Sequence, residues 1–145
     1  MKALSIKNPW AVLIAHGIKP IENRTFRIKY RGRIYIHCSA KSLHGNIKAM
    51  FTHQQWNSLS EDQRYMITGH WPNGCIIGEV DILDCVQRHP SVWAEHYAIV
   101  KRKAFGNDTI EVEVPVWNWV LANPVLYDKP IENVKGALSL WEYGQ

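Results

Sequence analysis

Apolar and polar residues alternate along several short stretches of this chain. Arg33 to His37 alternates in this way, with Ile34 and Ile36 on one side, and Glu111 to Pro115 does the same. A period of two is typical of a strand with one buried face. Cys75 to Cys85 is more continuously apolar and predicts a longer strand, in which Gly78 is a candidate bulge. The pattern favours a chain built mainly of short strands.

Helical spacing is clearest near the start of the chain. Asn8-Pro9 suits the first positions of a helix, because Asn caps the N-terminus and Pro has no N–H to satisfy there. Trp10, Leu13 and Ile14 then fall on one face, and Gly17 supplies the residue that ends a helix. The sequence therefore predicts a short helix between a first strand at residues 4–6 and the next extended segment.

The stretch from Ser42 to Gly74 predicts a helical insertion between strands. Ser60 and Gln63 have the spacing of a capping box that opens one of its helices. We also predict a short helix at Pro90 to Tyr97 and a turn at Asn123-Pro124. Together the elements predict one α+β domain over residues 1–145, a mostly β barrel with flanking and inserted helices.

Composition narrows the class of protein. Hydrophobic residues make up 46% of the 145 residues, which is too apolar for a disordered chain. The formal net charge is +4, which permits nucleic acid as a partner without requiring it. Three cysteines without a CxxC spacing argue against disulfide scaffolds and structural zinc sites. We expect a cytoplasmic protein with no membrane partner, no metal and no cofactor.

The charged residues concentrate between Gly17 and Lys41. Lys19, Glu22 and Arg24 come first, and from Arg24 to Lys41 the chain has no acidic residue. Phe26 is interleaved with these cations, an arrangement that suits a phosphate backbone with stacked bases. A solvated barrel face with a protected edge strand is the structural alternative. The remaining candidate ligand-binding residues of this run are Arg27, Lys29, Tyr30, Arg31, Arg33 and Lys41.

Four segments in order resemble the ASCH domain family of the PUA-like superfamily. They are LSIKNPWAVLIAHGIKPIENRTF, YRGRIYIHCSAK, GCIIGEVDILDC and NPVLYDKPIENVKGALSLWEY. The resemblance implies a PUA-like pseudo-barrel of about six strands, with a cleft where the first helix meets the barrel. It also implies binding of RNA, of single-stranded nucleic acid or of a modified nucleoside.

The same resemblance implies two other functions. One ASCH group resembles an amidohydrolase of N4-acetylcytidine with the motif Gly-x-Lys-x-x-Thr, and other members are ribonucleases. Lys19 matches the lysine of that motif, but Glu22 stands where its threonine nucleophile would be. A hydrolase acting on nucleic acid or nucleosides is therefore an alternative function. A transcription-coactivator-like protein-interaction module, using the helices of residues 42–74, is a second alternative.

Two sets of residues are candidates for chemistry. Lys19 and Glu22 form an acid–base pair if burial lowers the lysine pKa, and form a structural ion-pair network otherwise. We expect both to meet Arg24 in one solvent-reachable cleft beside Trp10. His37, Ser39 and Lys41 alternate at a strand end, but no Gly-x-Ser-x-Gly elbow accompanies them. We therefore predict ligand binding rather than a catalytic triad for that second set.

Overall fold

The computed structural model describes residues 1–43 and 45–144, so His44 of the predicted insertion and Gln145 lie outside it. Eight strands and four short helices follow one another along these described residues. They are β1 (Lys2–Ile6), α1 (Trp10–Ala15), β2 (Ile21–Arg24), β3 (Gly32–Cys38), a 3₁₀ helix (Ile47–Met50), α2 (His53–Ser58), α3 (Glu61–Ile67), β4 (Cys75–Val86), β5 (Tyr97–Lys103), β6 (Thr109–Pro115), β7 (Trp117–Ile131) and β8 (Leu140–Glu142).

Six of the strands form one sheet in the order β2-β7-β4-β3-β1-β8. Neighbouring strands of this sheet are antiparallel, except that β1 and β3 run parallel, with Ser5 opposite His37. The sheet curls into a half-barrel, so the predicted α+β, mostly β PUA-like fold with flanking and inserted helices is confirmed. Strands β5 and β6 form a separate two-stranded ribbon, at whose turn Phe105 is almost fully exposed.

Helix α1 packs against β3, β4 and β7. Its five residues from Ala11 to Ala15 are all buried, and Leu13 is completely so. Burying a leucine side chain contributes about 1.5–3 kcal/mol to folding, which far exceeds what a six-residue helix gains from its own backbone. Leu13 and Ile21 also contact Phe51, Leu59 and Ile67 in a second apolar cluster. This cluster attaches the inserted helices to the barrel.

Gly17 ends helix α1 as the sequence predicts, but the helix begins one residue later than expected, with Pro9 rather than Asn8 at the N-cap position. Asn8 is fully buried, and its Oδ1 accepts from the Val12 N–H at 3.2 Å. Its Nδ2 donates to the Pro72 carbonyl at 2.7 Å, which ties the helix start to the segment before β4. Gly17 takes a φ of 75°, and the next two N–H groups donate back to the Leu13 carbonyl. The chain therefore turns at once toward β2.

Two local predictions are wrong. The segment at residues 90–97 forms a turn leading into β5, because side chains take its N–H groups: Asn23 Oδ1 accepts from the Glu95 N–H at 3.0 Å. Asn123-Pro124 does not interrupt β7, because Asn123 adopts a φ of 54° within the strand, at a bulge. The predicted bulge near Gly78 is confirmed by the β3–β4 register: Gly78 and Ile76 pair with the consecutive residues Ile36 and His37, so β4 has one extra residue there.

None of the helices in the described part of the chain is long and apolar enough to cross a membrane.

Candidate functional site

A cleft of about 730 Å³ opens where β1 and β3 end beside β2. Because these two strands run parallel, the residues after them, Lys7 and Ser39, emerge at the same edge of the sheet. The Ser39 N–H donates to the Ile6 carbonyl at 2.9 Å and holds these two strand ends together. Trp10 lies at the cleft as predicted, and the loop of residues 134–139, between β7 and β8, forms the opposite wall.

Glu22 is the anion of this cleft and is nearly buried. Arg24 donates to its Oε2 from Nε at 3.0 Å and from Nη2 at 2.7 Å. Lys19 Nζ lies 3.6 Å from the other carboxylate oxygen. The three charges that we expected to meet therefore form one network, in which Arg24 is hydrogen-bonded to Glu22 and Lys19 makes only an ion pair with it. A carboxylate held by two cations is a rigid group, which suits a wall that positions a ligand.

Lys19, however, does not line the main cleft. It lies in a neighbouring recess of about 110 Å³, whose walls Trp10, Glu22 and Asn23 are shared with the cleft. Lys19 Nζ donates to the Ile21 carbonyl at 2.6 Å and lies 5.5 Å from the centre of the Trp10 ring. Burial lowers the pKa of Lys19, and the nearby Glu22 carboxylate opposes that shift less strongly. The recess thus holds a desolvated ammonium behind the cleft.

Arg24 connects the Glu22 network to the rest of the cleft. Its Nη2 also donates to the Ser5 carbonyl at 3.0 Å, so the guanidinium bridges β2 and β1. Its side chain stays about a quarter exposed and lines the cleft. Lys7 and Lys135 are exposed cations on the same walls, and no ion pair of either is found in the described part of the chain. The cleft is therefore basic.

The structure also places a serine–histidine pair in the cleft, which the sequence did not predict. Ser5 Oγ lies 2.9 Å from His37 Nδ1, and His37 Nε2 lies 2.7 Å from the Val134 carbonyl. A carbonyl can only accept, so Nε2 carries the proton and the Ser5 hydroxyl donates to Nδ1. Trp141 Nε1 donates to Ser5 Oγ at 3.2 Å. Ser39, which we had weighed as the partner of His37, lines the cleft separately.

The predicted basic run lies mostly outside the cleft. Residues 25–31 form no strand, so the basic residues there do not lie along one strand face. Arg33 Nε lies 3.0 Å from Asp81, and Arg31 lies 3.5 Å from Asp84. Several cations of the run are thus neutralised by β4. Arg27 lies over the Trp117 ring, the Tyr30 hydroxyl donates to the Arg33 carbonyl, and Lys29 and Lys41 are exposed away from the cleft.

Sequence reasoning missed three contributors to the cleft: Ser5, Lys7 and Lys135. Ser5 is 32 residues from His37 along the chain, and only the pairing of β1 with β3 brings them together. Lys135 precedes Gly136, and this dipeptide was the one local signal of a special loop. At Gly136 a Cβ would come within 2.5 Å of Ser5 Oγ, so only glycine lets the loop approach the serine this closely.

Metal-ligand clusters and reactive cysteines are the other kinds of site that such a chain could hold. Within residues 1–43 and 45–144, no group of three or more His, Cys, Asp or Glu residues is arranged to hold a metal ion. The three cysteines are free and buried. Burial raises the pKa of Cys38 to about 12, so its thiol stays protonated at neutral pH and is a poor nucleophile.

Comparison with known proteins gives two consistent matches. Residues 4–133 match the family described as ASCH domain. Activating signal cointegrator 1 from Homo sapiens is 32% identical over 85 residues, and its Mus musculus counterpart is 31% identical over 85 residues. Each alignment covers 59% of this chain and only 14% of the relative's length. Because the family match spans most of the chain, the predicted membership is confirmed, and this protein belongs to the ASCH domain family.

Proposed function

We propose that this protein binds RNA, or a single-stranded or modified nucleotide derived from it, in the cleft between Trp10 and the 134–139 loop. The observation that carries the proposal is the set of three cations, Lys7, Arg24 and Lys135, around an open cleft with an aromatic wall. The ASCH domain family is commonly RNA-binding, which agrees with this chemistry. The proposal moves the ligand from the predicted basic run to the cleft.

The charge of the cleft suits a phosphodiester. Glu22 is already held by Arg24 at 2.7 Å and faces Lys19 at 3.6 Å, so it repels an incoming phosphate only weakly. Lys7 and Lys135 are exposed and available to neutralise phosphates, releasing the counterions that make such binding salt-dependent. Arg24 keeps an exposed part on the cleft wall and adds a fixed guanidinium. Affinity then comes from two mobile cations and one rigid cation.

The recess behind the cleft supplies a different environment. Half-buried Trp10 is an aromatic wall of this recess, which the polar side chains of Asn23, Gln55 and Glu95 also line. Aromatic faces stack on bases, and amides and carboxylates read their edges. We propose that a base contacts this end while the phosphates lie toward the 134–139 loop. The identity of the base is then set by groups in and around the recess.

Mapping the contact by NMR tests the proposal. A uniformly ¹⁵N-labelled protein is titrated with a short single-stranded RNA, and backbone amide shifts are followed. The proposal predicts that the largest shifts fall on residues 5–7, 22–24 and 134–139. Shifts confined to residues 27–33 would instead place the RNA on the predicted basic run, and shifts confined to residues 47–67 would place it on the inserted helices. An absence of shifts at low salt would contradict RNA binding altogether.

A hydrolase acting through Lys19 and Glu22 is the second candidate, and the lowered pKa of Lys19 is the observation that favours it. A lysine with a depressed pKa has a neutral fraction that can act as a base. The test is hydrolysis of N4-acetylcytidine and of RNA by wild-type and Lys19→Ala protein. Turnover that survives Lys19→Ala would remove Lys19 from the mechanism, and no turnover would leave binding alone.

A coactivator-like interaction module is the third candidate. It is favoured by the likeness to activating signal cointegrator 1 and by Tyr65 of α3, which is 82% exposed. The NMR titration separates this function from RNA binding, because a module that binds only protein gives no shifts with RNA.

A further inference from the structure

We infer that Ser5 and His37 form a nucleophile–base pair that cleaves an acyl ester carried on an anionic ligand in the cleft. The inference rests on the proposed function only in placing the ligand in the cleft. The reaction itself is inferred from the geometry of Ser5 and His37. Lys19 and Glu22, the predicted catalytic residues, take no part in it.

The hydrogen bonds give the pair the polarity that a nucleophile needs. Because His37 Nε2 donates to the Val134 carbonyl at 2.7 Å, Nδ1 is the nitrogen without a proton in the neutral imidazole. That nitrogen accepts from the Ser5 hydroxyl at 2.9 Å and can take its proton during attack. Trp141 Nε1 donates to Ser5 Oγ at 3.2 Å and fixes the side chain. One lone pair of the oxygen is left for the electrophile.

The pair lies on a wall of the cleft next to hydrogen-bond donors. Ser5 is half-buried and lines the cleft together with His37 and Gly136. A Cβ at Gly136 would stand 2.5 Å from Ser5 Oγ and 2.7 Å from His37 Cε1, so the loop backbone runs directly beside the nucleophile. No hydrogen bond from the backbone N–H of Gly136 or Ala137 is found within residues 1–43 and 45–144. Both N–H groups belong to the loop that lines the cleft, and they would be the donors to an oxyanion in the proposed reaction.

The proposed ester hydrolysis has two stages, acylation of Ser5 and hydrolysis of the acyl-Ser5 ester. Ser5 Oγ bonds to the acyl carbon while its proton passes to His37 Nδ1. The ester C–O bond breaks, and the departing alkoxide takes that proton. Water then attacks the acyl-Ser5 ester and gives a proton to Nδ1, which returns it to Ser5 as the carboxylic acid leaves. Only water is consumed.

The Val134 carbonyl, which accepts from His37, determines which class of substrate the pair can cleave. The Val134 carbonyl orients the imidazole, but it carries only a partial charge and stabilises an imidazolium less than a carboxylate would. The pair therefore suits an ester, whose leaving group is better than that of an amide. Lys7, Arg24 and Lys135 surround the same cleft and favour an anionic carrier for the acyl group.

Covalent capture and ester hydrolysis test the inference on the whole chain. Wild-type protein is treated with a fluorophosphonate and analysed by mass spectrometry, and p-nitrophenyl acetate hydrolysis is followed by stopped flow. We expect one label, on Ser5, and a burst of one p-nitrophenolate per chain. Ser5→Ala should lose the label and hydrolyse the ester about a hundredfold more slowly. The matched control Ser42→Ala changes a serine outside the cleft and should retain both.

Two outcomes overturn the inference: wild-type protein that takes no label on Ser5, or folded Ser5→Ala that hydrolyses the ester as fast as wild type. The label on wild-type protein needs no variant to fold, so a misfolded variant cannot obscure the result. RNA titration of Ser5→Ala separates this inference from the proposed function. Binding without labelling leaves the proposed function standing, and labelling without RNA binding overturns the proposed function alone.

Discussion

Arg24 holds Glu22 through two nitrogens, with Nε at 3.0 Å and Nη2 at 2.7 Å from the same carboxylate oxygen. Glu22 is only 6% exposed, and Lys19 Nζ lies 3.6 Å from the other oxygen of its carboxylate. Removing one charge from a nearly buried network of this kind strongly destabilises the folded protein, because the remaining charges stay desolvated without a partner. This relationship links the stability of the protein to the shape of its cleft.

Replacing Glu22 with glutamine should therefore lower both stability and ligand binding. The change leaves Lys19 and Arg24 without their anion, and breaking a buried pair of this kind costs about 3 kcal/mol. A surface pair would cost much less. The measurements are chemical denaturation and an RNA titration on the same sample, with Glu61→Gln on exposed α3 as control. A Glu22→Gln protein as stable as the control would show that the network does not stabilise the fold.

The pH dependence of stability should report the burial of Lys19. Burial lowers its pKa below the ordinary 10.5, so above the lowered value the unfolded chain binds more protons than the folded chain. Stability from this group therefore rises with pH until about pH 10.5, where the unfolded lysine also loses its proton. Wild type should gain stability relative to Lys19→Met across that window. Parallel stability curves for the two proteins would contradict a lowered pKa.

Adding a methyl group at Gly136 should disturb the 134–139 loop. A Cβ there meets Ser5 Oγ at 2.5 Å and His37 Nδ1 at 2.9 Å, so the loop must move away from β1 and β3. Such overpacking typically costs about 1–3 kcal/mol. We expect Gly136→Ala to lower the melting temperature and weaken RNA binding. Gly144→Ala is the control, since a Cβ there meets nothing within 4 Å; equal behaviour of the two variants would rule out the close approach.

Arg33 should matter for stability rather than for the ligand. It lies 3.0 Å from Asp81, and its Nη2 donates to the Asn123 carbonyl at 2.7 Å, away from the cleft. Losing these bonds in Arg33→Gln should cost about 1–2 kcal/mol of unfolding free energy. RNA affinity should stay unchanged, whereas Arg24→Gln should reduce it. A larger loss of RNA affinity in Arg33→Gln than in Arg24→Gln would show that the RNA binds to the basic run and not in the cleft.

The sequence predicted the fold better than the site because the two depend on different information. Helix α1 is specified locally: the Asn8 side chain accepts from the Val12 N–H, and Gly17 ends the helix. The capping box of Ser60 and Gln63 is equally local and forms as predicted. The segment at residues 90–97 failed because its N–H groups bind distant side chains, one of them Asn23.

The cleft depends on strand pairing, which no local pattern encodes. Lys19, Glu22 and Arg24 are neighbours in sequence, so their network was predictable, although the placement of Lys19 in a separate recess was not. Ser5, Lys7 and Lys135 reach the same cleft only through the register of β1 with β3 and the return of the chain after β7. Conversely, Arg33 looked free in the sequence because its partner Asp81 lies on another strand.

The central claim is that the ligand binds in the basic cleft, and the salt dependence of RNA binding tests it most directly. Each phosphate contact contributes about 0.7 to the slope of log K against log salt concentration for a single strand. Removing both exposed cleft lysines in Lys7→Gln/Lys135→Gln should therefore reduce the slope by about 1.4 and weaken binding at low salt. The matched double variant Lys29→Gln/Lys41→Gln removes two exposed lysines outside the cleft and should leave the slope unchanged. An unchanged slope in the cleft variant, or an equal reduction in the control, would contradict the account.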